Sequence, residues 1–178
     1  MKKGFTLMEL MVVIAIIGIL VAVLLPQFAS FQDKARTAQI LSYYDSVRTA
    51  CSAYRADVGL WPYHNIRDGA YWQLVNNPRG VSNWQGPYID RPPTRSDGRV
   101  TNPFGGRMML YDVDNGYGDN PWNFNGGASP DRHLILEGVP QSVRDRLQIA
   151  LDGRDDGNRG RVAEFWGNWV ALTFSEGS

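Results

Sequence analysis

Cysteine is almost missing from this sequence: Cys51 is the single one in 178 residues. That excludes an internal disulfide and leaves either a buried thiol or a reactive one. Net charge is missing too. Lys and Arg number 18 and Asp and Glu number 18, so no excess of one sign points to nucleic acid or to an acidic partner. Histidine is scarce, and His64 and His133 have no metal or triad spacing to other residues. A glycine-rich phosphate loop and a nucleophile elbow are both lacking. These absences point away from an enzyme. Internal repeats are lacking as well, and the length suits one globular core rather than two.

What is present is concentrated at the N-terminus. Leu10 to Gln32 carries no charged side chain, and about 23 residues at roughly 1.5 Å each give roughly 35 Å of helix, sufficient to cross a bilayer core. A secretory signal places its small-residue cleavage site after a short apolar run. Here a basic tetrapeptide, Met1-Lys2-Lys3-Gly4, stands directly before Phe5, and Val21 to Gln27 offers no clear small-x-small exit. The apolar helix is built to be kept. Glu9 breaks its apolar character, and a carboxylate in lipid is costly unless a partner or a function accompanies it. Pro26 lacks an N–H, which leaves the carbonyl of Ala22 without its usual helical bond. A kink or melted turn is expected between Gly18 and Pro26.

The run Lys2-Lys3-Gly4-Phe5-Thr6-Leu7-Met8-Glu9-Leu10 closely resembles the class III signal of type IV prepilins and type II secretion pseudopilins. That resemblance implies a prepilin peptidase that cuts after Gly4 and methylates the new terminus at Phe5. It implies that Glu9, four positions beyond that terminus, pairs with the terminal amine of an adjacent subunit. Pro26 matches the family's proline in this helix. The chain then divides into a leader (1–4), a membrane and filament-core helix (5–28), an amphipathic continuation (29–58) and a globular α+β domain (59–178).

Past Gln27 the pattern changes to one apolar face. Ile40, Tyr44, Val47, Cys51, Tyr54 and Val58 recur at spacings of four and three, a single helical stripe. The helix should end near Asp57 to Gly59, about 80 Å from its start at 1.5 Å per residue. The stripe puts Cys51 in the core, which argues against catalysis by it. Three runs predict strands, namely residues 107–113, 133–137 and 166–174. Pro140 to Leu151 predicts a short helix with Val143, Leu147 and Leu151 on one face and Gly153 just past its end. The expected fold is α+β: a long N-terminal α-helix, its first half membrane-embedded, packed on a small antiparallel β-sheet.

Between helix and sheet, Gly, Pro, Asn and Trp predict a long structured loop. Gly59-Leu60-Trp61-Pro62, Leu74-Val75-Asn76-Asn77-Pro78, Trp84-Gln85-Gly86-Pro87-Tyr88-Ile89 and Asn102-Pro103-Phe104-Gly105-Gly106 resemble the loop of the major pseudopilin of type II secretion. The absence of a C-terminal cysteine pair also fits pseudopilins. The departure comes after Tyr111, where the major pseudopilin soon finishes with a calcium loop and this chain continues for more than about sixty residues.

Asp152, Asp155, Asp156 and Asn158 crowd a glycine-containing turn, and clustered oxygens in a flexible turn suit Ca2+. Arg154, Arg159 and Arg161 could equally neutralise them in a solvated turn. Asp112, Asp114, Asn115, Asp119 and Asn120 form a second such loop. The six tryptophans suit either sugar stacking or core and subunit contacts. The family resemblance implies a structural subunit of a type II secretion pseudopilus, held single-pass in the bacterial inner membrane with its C-terminal domain periplasmic. Its partners would be its own copies, the prepilin peptidase, an inner-membrane assembly platform and lipid before assembly, with no nucleic acid. A type IV pilus subunit is the alternative within the family, and a membrane-anchored glycan-binding module the alternative outside it.

Overall fold

The computed structural model describes residues 4–62, 69–90, 92, 94, 96, 99–112, 132–153, 160–165 and 167–175. The chain falls into two compact units, Met1–Ala35 and Arg36–Ser178. One helix, α1 (Leu7–Val58), contributes residues to both. In the first unit its large apolar side chains are exposed all round, from Met8 at 77% to Val13 at 47%.

In the second unit α1 is amphipathic in the expected way. Ile40, Tyr44, Val47, Cys51 and Tyr54 are buried and Val58 packs at the margin. The helix stops because Gly59 takes a left-handed φ of 80° and its N–H closes on the Arg55 carbonyl at 2.8 Å. A short helix, α2 (Gly69–Val75), then interrupts what the sequence presents as loop. Its Tyr71 and Leu74 are buried in the main core.

The sheet has four antiparallel strands in the order β1-β2-β4-β3, with β1 at Met108–Asp112, β2 at Arg132–Leu136, β3 at Val162–Phe165 and β4 at Trp169–Ser175. Pleating sorts the side chains into two sets. Met108, Leu110, Leu134, Leu136, Val162, Val170 and Leu172 join the α1 stripe in one core, while Ile135, Ala163 and Ala171 form a second cluster with Met109 and Trp169. All five residues of β2 are buried. Tyr44 Oη ties helix to sheet by donating to the Thr173 carbonyl at 2.7 Å.

Between β2 and β3 lies α3 (Gln141–Asp152), with Val143 and Leu147 fully buried. Gly153 ends it at φ 74°, its N–H on the Ile149 carbonyl. Arg144, 7% exposed, pairs with Glu164 of β3 at 3.0 Å and donates to the Val139 carbonyl at 2.6 Å. The long helix on a small antiparallel sheet is thus the α+β fold that the sequence implies. Strand β3 was not expected. It has four residues, too few to show an alternation of their own.

Candidate assembly surface

The first turn of α1 is closed by its own side chains. Thr6 precedes the helix, and its N–H and hydroxyl both donate to Glu9 Oε2 at 2.9 Å, while Glu9 N–H donates to Thr6 Oγ1 at 3.2 Å. This reciprocal arrangement is a capping box, which satisfies backbone donors that a helix start leaves open. Glu9 therefore has a partner within its own chain, where sequence reasoning looks for one only in a neighbour. The T-x-x-E spacing of Thr6 and Glu9 was the signal for it. Hydrogen bonds from neutral groups leave the negative charge in place, so a cation is still absent from this end of the helix among the described residues.

Phe5 stands before this turn with its ring exposed, and Leu7, Met8, Leu10 and Met11 follow, all exposed. By length and composition α1 can cross a membrane. The helix runs unbroken through Gly18 and Pro26, so the melted turn expected there is not present in the single chain. Losing one N–H removes one bond, and the turns on either side keep theirs.

The loop of the second unit is held by specific bonds. Trp84 Nε1 donates to the Gln73 carbonyl at 2.7 Å, Tyr88 N–H to the Leu74 carbonyl at 2.8 Å, and Tyr88 Oη to Asp57 Oδ2 at 2.9 Å. Asn77 and Val81 exchange two bonds of 2.8 Å. The Asn102-Pro103-Phe104-Gly105-Gly106 segment is a latch. Buried Asn102 donates from Nδ2 to the Glu137 carbonyl at 2.7 Å and accepts from Phe104 N–H at 2.8 Å. Gly106 is required there, since a Cβ would fall on the Glu137 carbonyl. Beside it Arg107 Nε meets Glu137 Oε2 at 2.7 Å.

The remaining sequence candidates separate. Asp155, Asp156 and Asn158 lie outside the described residues, as do Asp114, Asn115, Asp119, Asn120 and His64, and only the backbone of Asp112 is described. Asp152 is described, and its carboxylate is engaged by the backbone. It accepts from Arg161 N–H at 2.8 Å and Val162 N–H at 3.1 Å, opening β3. Among the described residues no group of acidic, His and Cys side chains could hold a metal. His133 is buried in β2 with Nδ1 2.9 Å from Thr173 Oγ1. Cys51 is buried and free of disulfides, and burial pushes its thiol far above the ordinary range, which disfavours the reactive thiolate. The Arg55 and Arg132 guanidinium groups both stand over the Trp61 ring, 4.8 and 5.3 Å from its centroid, and Trp169 carries Arg107 at 5.1 Å.

Two family models match this chain. The prokaryotic N-terminal methylation motif covers residues 1–25, and the model described as PilW, C-terminal, covers residues 32–121, half of the chain. Among curated relatives, the type IV major pilin protein PilE1 of Neisseria gonorrhoeae is 35% identical over 57% of this chain and 43% of its own. Fimbrial protein EcpC of Eikenella corrodens is 41% identical over 38% of this chain and 44% of its own. The chain thus spans under half the length of these two relatives. The type IV major fimbrial protein FimA of Dichelobacter nodosus is 31% identical over 59% of this chain and 72% of its own. No solved structure matches. The methylation motif sits on the Thr6–Glu9 turn and its apolar helix, and FimA extends the match to most of its own length. The chain belongs to the type IV pilin family.

Proposed function

We propose that this chain is a subunit of a type IV pilus, held in the inner membrane by α1 and then extracted into a surface filament. One observation carries the reading: the second unit buries its own core, whereas the apolar side chains from Phe5 to Phe31 are exposed. A surface of that kind needs a partner. Lipid serves before assembly and the same helix of neighbouring copies serves afterwards. Hydrolysis of the Gly4–Phe5 bond by a prepilin peptidase frees the Phe5 amine, which is then methylated. That amine supplies a cation for Glu9, which has none among the described residues of the single chain. The names of the relatives support a pilus. The loop from Gly59 to Gly106 favours a second reading, a type II secretion pseudopilus that extends into the periplasm.

Intact mass of the mature chain tests the processing, which should leave Phe5 as the first residue. Glu9→Val tests assembly. In cells lacking the wild-type subunit, this variant should be cleaved and inserted normally, yet yield few sheared filaments because the incoming copy loses its axial register. Normal filament yield from processed Glu9→Val chains would sink the pairing. Loss of surface filaments together with intact protein export, on deleting the gene, separates pilus from pseudopilus.

A further inference from the structure

The uncharged stretch of α1 ends at Gln32, and the two cations that follow it each stand over an aromatic ring. Lys34 Nζ is 5.6 Å from the centroid of Phe31, whose ring is exposed. In the second unit, the Arg36 guanidinium is 5.0 Å from the centroid of Phe104. Among the described residues neither cation meets a carboxylate. Between Glu9 and Asp45 the two basic residues face a single acidic one, Asp33, which is half-buried while Lys34 is exposed. This short segment therefore carries an excess of positive charge.

Height along the helix gives that charge a meaning. A hydrocarbon core is about 30 Å thick, and each headgroup layer adds roughly 5–7 Å. At about 1.5 Å per residue, Lys34 and Arg36 stand roughly 3 and 6 Å past Gln32, which is headgroup depth when the uncharged stretch fills the core. Two positions at about 100° each put them roughly 200° apart on the helix, so they face different lipids. A guanidinium offers a fork of donors that matches a phosphate, and an ammonium offers a point charge. The aromatic faces steady both side chains without consuming their charge, and an aromatic beside a long cation suits the boundary between lipid and water.

We infer that Lys34 and Arg36 bind the phosphates of anionic phospholipid headgroups, an inference that rests on α1 lying in the membrane before assembly. The second unit then has a lipid contact of its own. Through Arg36 and Phe104, the segment 102–106 is held at the membrane surface while the subunit waits. Extraction breaks these contacts, so the charge of the surrounding lipid sets how readily a subunit leaves.

The test uses the full chain in vesicles of mixed phosphatidylglycerol and phosphatidylcholine. Lys2→Gln with Lys3→Gln serves as the background, which removes the basic residues at the other end of the helix. Spin-labelled forms of the two lipids report which one the chain immobilises. The background chain should favour phosphatidylglycerol by about fivefold, and adding Lys34→Gln with Arg36→Gln should bring that ratio down to about one. Arg36→Lys, which keeps the charge, should retain most of the preference. A second measurement reads position rather than charge. A fluorophore on Pro103→Cys should be quenched by headgroup nitroxides at least about threefold more than one on Leu60→Cys, since Leu60 follows the far end of α1, roughly 33 Å beyond Arg36. Both positions are exposed, and buried Cys51 stays unlabelled. Equal immobilisation of the two lipids by the background chain overturns the inference, as does a preference that survives the double Gln change or vanishes in Arg36→Lys. Equal quenching at positions 103 and 60 overturns it too. A chain that the vesicles fail to retain brings down the membrane reading, and this inference with it.

Discussion

The two units of this chain share a helix and treat apolar side chains in opposite ways. From Arg36 onward α1 shows one stripe, and every member from Ile40 to Tyr54 is buried. Before Ala35 the apolar positions cover the whole circumference and none is buried among the described residues. Helix propensity does not separate the two stretches, since leucine and alanine serve both. What differs is the width of the apolar face, which sets how many neighbours a helix needs. A stripe is satisfied by one sheet. A helix apolar all round needs surroundings on every side, which only lipid or a bundle of copies provides.

That contrast can be broken by matched truncations. Leu134→Ala empties a fully buried position and should cost the second unit about 2–5 kcal/mol, read as a lower melting temperature of the full chain in detergent. Ile14→Ala, the same kind of change in the first unit, should leave that melting temperature unmoved. A drop of similar size would show that the first unit helps to stabilise the second. Gly106→Ala should come next, at about 1–3 kcal/mol, because the added methyl meets backbone at the Glu137 carbonyl rather than a side chain that can turn away.

Alkali offers a milder probe. Burial pushes the Tyr43 hydroxyl from its ordinary 10.0 up to about 12, and burial also raises Tyr44 and Tyr54. Unfolded tyrosines lose their protons near pH 10 while the folded ones keep them, so this stability is full below pH 10 and is lost as pH climbs towards about 12. The first unit has no tyrosine. Circular dichroism in micelles at pH 8 and pH 11 should show the domain's melting temperature falling while helicity in the first unit persists. The smallest effect belongs to Thr6→Val, which removes the hydroxyl from the capping box. Amide exchange in the first turn of α1 should quicken by about fivefold, with no change in the domain's melting temperature.

Much of this was legible because hydrophobic period is a local signal. The stripe from Ile40 to Val58, the turn at Gly59, and α3 between Pro140 and Gly153 could all be read along the chain. So could β1, β2 and β4, within a few residues. The Gly4 to Glu9 turn was legible as a motif, although its Thr6 bonds were missed. What failed to show depends on distant partners. Asn102 and Gly106 owe their roles to Glu137, some thirty residues on. Strand β3 exists because β4 lies beside it, with Ala163 opposite Ala171. Helix α2 is short and aromatic, and its Tyr71 and Leu74 are held by the core. Asp152 reads as one oxygen ligand among several, yet its carboxylate is taken up by the amides of Arg161 and Val162.

The bond from Tyr44 to Thr173 has a mechanical side. In the proposed filament, tension would reach each domain through α1, and the load would enter at the wedge of Tyr44, Val47 and Cys51. It passes into β4, which is an interior strand bonded to β2 on one side and to β3 on the other. Pulling α1 out would have to drag its whole buried stripe past the sheet at once, a shearing failure in which many contacts resist together. Peeling one edge strand would break them one after another. The helix is thus anchored at the part of the sheet least able to unzip.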